Sequence, residues 1–130
     1  MIGHMKNFAV GTDIESIGRF KKIDRIKDRF FLDKIFTEDE LGYCFSGQKS
    51  ASRLTARFSG KEAVIKALSS IGRNNISYKE IEIINDNSGV PRVKVNKANF
   101  NNLQIYLSLS HSKDNAIAFA AIMEVSRREK

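Results

Sequence analysis

SASRLTARFSGKEAVIKALSSIG occupies residues 50–72, and the reading of this stretch decides the fold. Leu54, Phe58, Ile65 and Leu68 recur at helical spacing and Gly72 is a natural stop, so the pattern predicts one long helix from Ser50 to Ser70. Within it Phe58, Glu62 and Lys66 are each four residues apart. That spacing puts an acid and a base on one face, just beyond the apolar residue that turns the face inward. Arg57 and Lys61 lie beside them. A Glu followed by a Lys at this spacing is also an ordinary surface ion pair, worth about 0.3–0.5 kcal/mol. Gly60-Lys61 does not complete a phosphate loop, because Thr55 stands where the earlier Gly is required and Glu62 where Ser or Thr is required.

Downstream of the helix the period changes. Ile81 and Ile83 read as a strand, Asn85 to Gly89 has turn composition and Arg92 to Val95 returns, which predicts a hairpin. Leu103, Ile105, Leu107 and Leu109 alternate with Gln104, Tyr106, Ser108 and Ser110, the pattern of a half-buried strand. Ala116 to Val125 is apolar on both faces apart from Glu124, so its strand is expected at the centre of a sheet or under a second subunit.

Upstream, Phe8 to Ile14 reads as a strand, with Gly11-Thr12 marking close backbone approach beside Asp13. Ile17, Phe20, Ile23 and Ile26 predict a helix over 16–28, weakened at Gly18 by about 1 kcal/mol relative to Ala. Thr37 and Glu40 form a capping box that starts a helix at Glu38, with its end expected near Gly47. Helices followed by strands argue for an α+β fold, an antiparallel β-sheet with the long helix packed on it. There is no internal repeat or linker, and 130 residues make about one domain. Met1 to His4 precede a second Met at position 5 and read as a short extension or expression remnant, leaving 5–130 as the domain.

Hydrophobic residues make up 42% and charged residues 28%, without a run long enough for a membrane span, so a soluble chain is expected. No charged leader precedes an apolar segment at the N-terminus, so no secretory signal is expected. The lone Cys44, in a helical pattern between Tyr43 and Phe45, suits a packing role and a reducing, cytoplasmic setting. A net charge of +7 calls for an acidic partner. Between Arg19 and Lys34 seven basic residues face three acidic ones and alternate with Phe20, Ile23, Ile26, Phe30 and Phe31. This is either the solvated face of a packed helix or a docking surface for something anionic.

Asp13 at one strand end and His111 at another have bland readings, a helix cap and a satisfier of backbone groups. Their company changes the odds. VGTDIESIGR at 10–19, IFTEDEL at 35–41, RFSGKEAVIKAL at 57–68, GVP at 89–91 and SLSHSK at 108–113 occur in order. In these segments the chain resembles the holo-acyl carrier protein synthases, which are 4'-phosphopantetheinyl transferases, and the resemblance covers nearly everything after Met5.

The resemblance implies the 4'-phosphopantetheinyl transferase fold. It also implies Mg2+-dependent movement of the 4'-phosphopantetheine arm of coenzyme A onto a serine of apo-acyl carrier protein, in fatty-acid synthesis. Residue by residue, Asp13 and Glu62 would hold the metal, and Glu62 would take the serine proton, directly or through water. Lys66 would serve the leaving phosphate. Arg57, Lys61 and His111 would bind coenzyme A phosphates, with Pro91, Ser110 and Ser112 lining the nucleotide site. Arg19, Arg29 and Lys34 would dock the acidic carrier. A homotrimer with shared active sites is implied as well. His4 is left unassigned. The competing reading is a small basic nucleic-acid-binding module, supported by the charge and the phenylalanines but interrupted by Asp24, Asp28 and Asp33.

Overall fold

The long helix forms as its pattern predicts, and everything else is arranged around it. The computed structural model describes residues 4–126. In chain order the elements are β1 (His4–Ser16), a 3-10 turn (Ile17–Phe20), α1 (Arg29–Ile35), α2 (Glu38–Cys44) and α3 (Ser50–Ser70). A second 3-10 turn (Tyr78–Glu80) then leads into β2 (Ile81–Asn85), β3 (Pro91–Val95), β4 (Leu103–His111) and β5 (Asn115–Ser126). β5 lies between β1 and β4 in a three-stranded antiparallel sheet, while β2 and β3 form a separate antiparallel hairpin. The expected α+β architecture and the central place of the last strand are both found. No helix among the described residues is long and apolar enough to cross a membrane.

α3 lies on one face of the sheet because the sheet is built small beneath it. Ala9 of β1 and Ala118, Ala120 and Ile122 of β5 share a core with Ala63, Val64, Ala67 and Leu68 of α3. Gly11 makes the closest approach: a Cβ there would collide with the Ala63 carbonyl oxygen and stand 2.8 Å from the Ala67 nitrogen. Gly60 does the same on the other side of the helix, where a Cβ would lie 2.8 Å from Ile83 Cδ1. After Ile71, Gly72 takes φ 80° and lets the Arg73 amide return to the Leu68 carbonyl at 2.9 Å, which closes the helix. A second core gathers Phe20, Leu32, Phe36, Leu41, Cys44, Leu54 and Phe58. Burial there pushes the Cys44 thiol up to about 12, so this cysteine packs and does not react.

The sequence expectation fails over 16–28, where no continuous helix forms. Ile17 and Phe20 are buried as the spacing requires, but Ile26 is 85% exposed. The Asp24 carboxylate accepts from the amides of Ile26 and Lys27 at 3.0 and 2.8 Å, and Asp28 accepts from the Asp24 amide at 2.8 Å. These local bonds offer the backbone a turn in place of helical hydrogen bonds, and the helix starts only at Arg29. α2 begins at Glu38 with its capping box complete, Glu40 N to Thr37 Oγ1 at 3.2 Å and Thr37 N to Glu40 Oε1 at 2.9 Å. It ends at Cys44, short of Gly47. Arg53 and the Ser46 hydroxyl both donate to the Tyr43 carbonyl, which satisfies the last turn early.

Candidate active site

Close packing at Gly11 delivers the next inward residue of β1, Asp13, to the flank of α3. The Ser59 hydroxyl donates to the Asp13 carbonyl at 3.1 Å, and Lys66 Nζ donates to the Thr12 carbonyl at 3.0 Å and to Asp13 Oδ1 at 3.3 Å. The other oxygen, Asp13 Oδ2, is buried and has no hydrogen-bond partner. Such an atom is costly unless a cation or donor reaches it. One turn before Lys66, Glu62 is half-buried, and its carboxylate is an electrostatic neighbour of Tyr78. Burial, and after it the neighbouring Glu62 carboxylate, push the Tyr78 pKa up, so the phenol keeps its proton.

Glu15 is a carboxylate that sequence reasoning passed over. Two residues beyond Asp13, it falls on the same side of β1 and faces the Asp13 carboxyl; burial and then Asp13 raise its pKa. The i, i+2 spacing was the available signal. Arg19 donates to Glu15 at 3.0 Å and lays its guanidinium 4.8 Å from the centre of the Phe58 ring, so it borders this site from the first 3-10 turn.

The expected nucleotide residues divide. A cleft of about 320 Å³ is lined by Arg57, Pro91 and His111, together with Lys49, Arg53 and Tyr43. Arg57 is buried, donates to Asn85 Oδ1 at 3.1 Å and stacks 4.3 Å from the centre of the Tyr43 ring. Its Nε is buried without a partner. Ser110, His111 and Ser112 line an adjoining hollow with Ile14 and Ile117, and those two isoleucines also border the hollow that holds Asp13 and Lys66. His111 is thus shared by the cleft and this hollow, and the two isoleucines by this hollow and the one that holds Asp13.

Lys61 does not join them, which corrects its expected role at the coenzyme A phosphates. Its side chain is wholly buried, and its ammonium donates to the Ile35 carbonyl at 2.6 Å, Glu40 Oε1 at 2.7 Å and the Tyr78 carbonyl at 2.9 Å. All three donors are spent inside the fold. Desolvation lowers its pKa and Glu40 opposes the fall. Sequence spacing placed Lys61 beside Glu62 but did not reveal the three acceptors waiting for it.

Arg29 and Lys34 stand on α1 beside exposed Ile26, Phe30 and Phe31. Arg29 is weakly tied to Asp33 and Glu38 at 3.5 and 3.4 Å, and Lys34 Nζ lies 4.5 Å from the centre of the Phe30 ring. Basic heads over uncovered apolar rings make a surface suited to an acidic protein. Among the described residues no three His, Cys, Asp or Glu side chains are grouped as a ready-made metal cage. One or two carboxylates completed by substrate phosphate oxygens and water is the donor set that magnesium takes.

Comparison with known proteins bears on this arrangement. Residues 9–120 match the family described as the 4'-phosphopantetheinyl transferase superfamily. The chain is 43% identical over 113 residues to a holo-[acyl-carrier-protein] synthase of Thermodesulfovibrio yellowstonii, covering 87% of this chain and 96% of that one. A holo-[acyl-carrier-protein] synthase of Clostridium kluyveri is 40% identical over 128 residues, with 94% and 93% of the two chains covered. The crystal structure of the holo-(acyl-carrier-protein) synthase of Bacillus anthracis, in complex with CoA (3',5'-ADP), superposes with a TM-score of 0.72 at 28% identity, over 89% of this chain and 96% of that one.

Proposed function

The chain belongs to the 4'-phosphopantetheinyl transferase superfamily, and from that membership we propose that Asp13, Glu62 and Lys66 form the centre at which it makes holo-acyl carrier protein. The reaction moves the 4'-phosphopantetheine arm of coenzyme A to a serine of apo-acyl carrier protein. The serine oxygen bonds to the phosphorus that carries the arm, the bond from that phosphorus to the bridging oxygen breaks, and adenosine 3',5'-bisphosphate leaves.

The observation that carries the assignment of residues is Asp13 itself, with one oxygen on Lys66 and the other buried and unpartnered next to the face that bears Glu62. These residues fit a magnesium ion: Asp13 Oδ2 and the Glu62 carboxylate are hard oxygen donors, and Oδ2 lacks any other partner. When bound, the ion neutralises pyrophosphate charge. Glu62 accepts the serine proton, and Lys66, with 57% of its side chain exposed, extends its ammonium to the departing phosphate. Arg57 and His111 hold coenzyme A phosphates in the cleft, with Pro91, Ser110 and Ser112 shaping its walls.

The carrier docks on α1. Acyl carrier proteins are acidic, so Arg29 and Lys34 steer them while Phe30 and Ile26 supply apolar contact. Arg19 at the site's edge then meets the segment around the serine. We place this activity in cytoplasmic fatty-acid synthesis.

The sheet face away from α3 leaves Phe8, Val10, Ile14, Tyr106, Ile117 and Phe119 exposed on three neighbouring strands. A surface of that kind is usually covered by another protein surface. The assembly proposed is a homotrimer sealed over this face, with the neighbour enclosing the nucleotide near Ile14 and Ile117. Transfer to a defined apo-carrier, read as a mass gain of one phosphopantetheinyl group and its dependence on magnesium, tests the reaction directly. Absence of transfer under saturating coenzyme A and magnesium would defeat it.

A further inference from the structure

Lys61 is wholly buried, yet it sits next to Glu62 on α3, and its contacts explain what it is for. Its ammonium takes the Tyr78 carbonyl at 2.9 Å and so pins the turn before β2 onto the helix. The same ammonium is fixed from two other sides, by Ile35 at the end of α1 and Glu40 in α2. The turn is stiffened again by the Ser77 amide donating to Glu80 Oε1 at 2.9 Å. The Tyr78 ring packs against Phe58, one helical turn before Glu62, with centroids 5.5 Å apart. Phe58 and Glu62 are four residues apart on one face of α3, so a ring packed on Phe58 has residue 62 as its next neighbour along the helix.

We propose that Tyr78 is a positioning residue whose hydroxyl donates to the Glu62 carboxylate and holds it in its working orientation, with buried Lys61 setting Tyr78 in place. The inference rests on the reaction assigned above. A glutamate has three side-chain torsions, and an unheld carboxylate at half-buried depth spreads over several rotamers. A donor on one oxygen selects one of them before substrate arrives and leaves the second oxygen free for the metal or the serine proton. Phenylalanine at this position would keep the packing on Phe58 and lose only the donor.

Tyr78→Phe is therefore the test, with kcat, the coenzyme A KM, the melting temperature and magnesium binding compared with wild type. Magnesium is titrated by calorimetry into the coenzyme A-saturated protein without carrier, so that this readout does not depend on turnover. Loss of one hydrogen bond to a charged group predicts kcat down about tenfold and magnesium affinity down about tenfold, with the coenzyme A KM within about twofold and folding stability unchanged. A variant with wild-type kcat and wild-type magnesium affinity overturns the proposal. So does one in which kcat and the melting temperature fall while the coenzyme A KM rises with them, since that is the signature of a merely structural role. A wild-type chain that performs no transfer at all removes the reaction itself, and the inference with it, and is told apart by the control alone.

Discussion

Lys66 reaches from α3 to β1 to donate to Asp13 Oδ1 at 3.3 Å, and it leaves Asp13 Oδ2 buried with no donor. The lysine balances the charge of the carboxylate without filling its hydrogen-bonding capacity. A cation can therefore join Asp13 without displacing Lys66, which keeps both an acid and a base within one small site.

Asp13→Ala and Glu62→Ala are each expected to lower transfer at least about a hundredfold while leaving the fold intact, because each removes a charged ligand and not a core group. Turnover measured across a magnesium titration, with circular dichroism beside it, checks this. Full activity in either variant would remove that residue from the metal site.

Charge reversal at Arg29 or Lys34 is expected to raise the KM for carrier about tenfold and to leave that for coenzyme A nearly unchanged, since both lie on exposed α1 away from the cleft residues. The defect should shrink as salt rises, because exposed charges separated by more than about 8 Å are screened at physiological ionic strength. An equal loss for both substrates would mean that α1 supports the fold instead.

Lys61→Met tests the buried pair. It removes one charge and strands Glu40, which is fully buried and also accepts from the Ile83 amide at 2.7 Å. Breaking a buried pair from one side costs about 3–5 kcal/mol, so the variant should unfold at markedly lower denaturant. Unchanged stability together with weaker coenzyme A binding would return Lys61 to the substrate.

Glu124 carries an acid-sensitive contribution to stability. Hydrogen bonds from Asn7 and then Arg73 hold its carboxyl below the ordinary value of 4.5. With the folded pKa depressed, the unfolded chain takes up the proton first, so the contribution is complete above about pH 4.5 and is lost as pH falls through the folded value. Glu124→Gln should flatten the pH dependence of denaturant midpoints below pH 4.5; an unchanged slope would assign the acid sensitivity elsewhere.

Much of this was legible because it is local. The spacing of Leu54, Phe58 and Leu68, the capping box of Thr37 and Glu40, and the alternation through β4 each encode an element within a few residues. Gly11 beside Asp13 announced the close approach that builds the site. What was not legible depends on partners far away in the chain or on competition between two local codes. The stripe from Ile17 to Ile26 reads as helix, yet Asp24 and Asp28 bond the backbone into turns at the same place. Lys61 reads as a phosphate ligand until Ile35, Glu40 and Tyr78 are seen to claim it from 17 to 26 residues away. Tyr78 carried no motif, and only the tertiary fold brings it to Glu62.

Assembly is the last point at which the proposal can fail. β5 alternates strictly, with Ala116, Ala118, Ala120 and Ile122 buried under α3 and Ile117 and Phe119 turned to the open face, 48% and 46% exposed. Register sets Ile117 opposite Ile14 and Phe119 opposite Thr12 on β1; Ile117 and Ile14 wall the hollow that contains Asp13 and Lys66, and Phe119 lies on the same open face beside them. A charge placed there would be buried unpaired if the face is covered, and would cost little if it is not. Ile117→Glu or Phe119→Glu should therefore convert the proposed trimer to monomers without unfolding the chain, and transfer should fall with the assembly although every proposed catalytic residue is present. Light scattering read beside turnover makes the comparison. A wild-type chain that is monomeric and fully active at assay concentration would refute the shared site, because each copy would then complete its own nucleotide cleft.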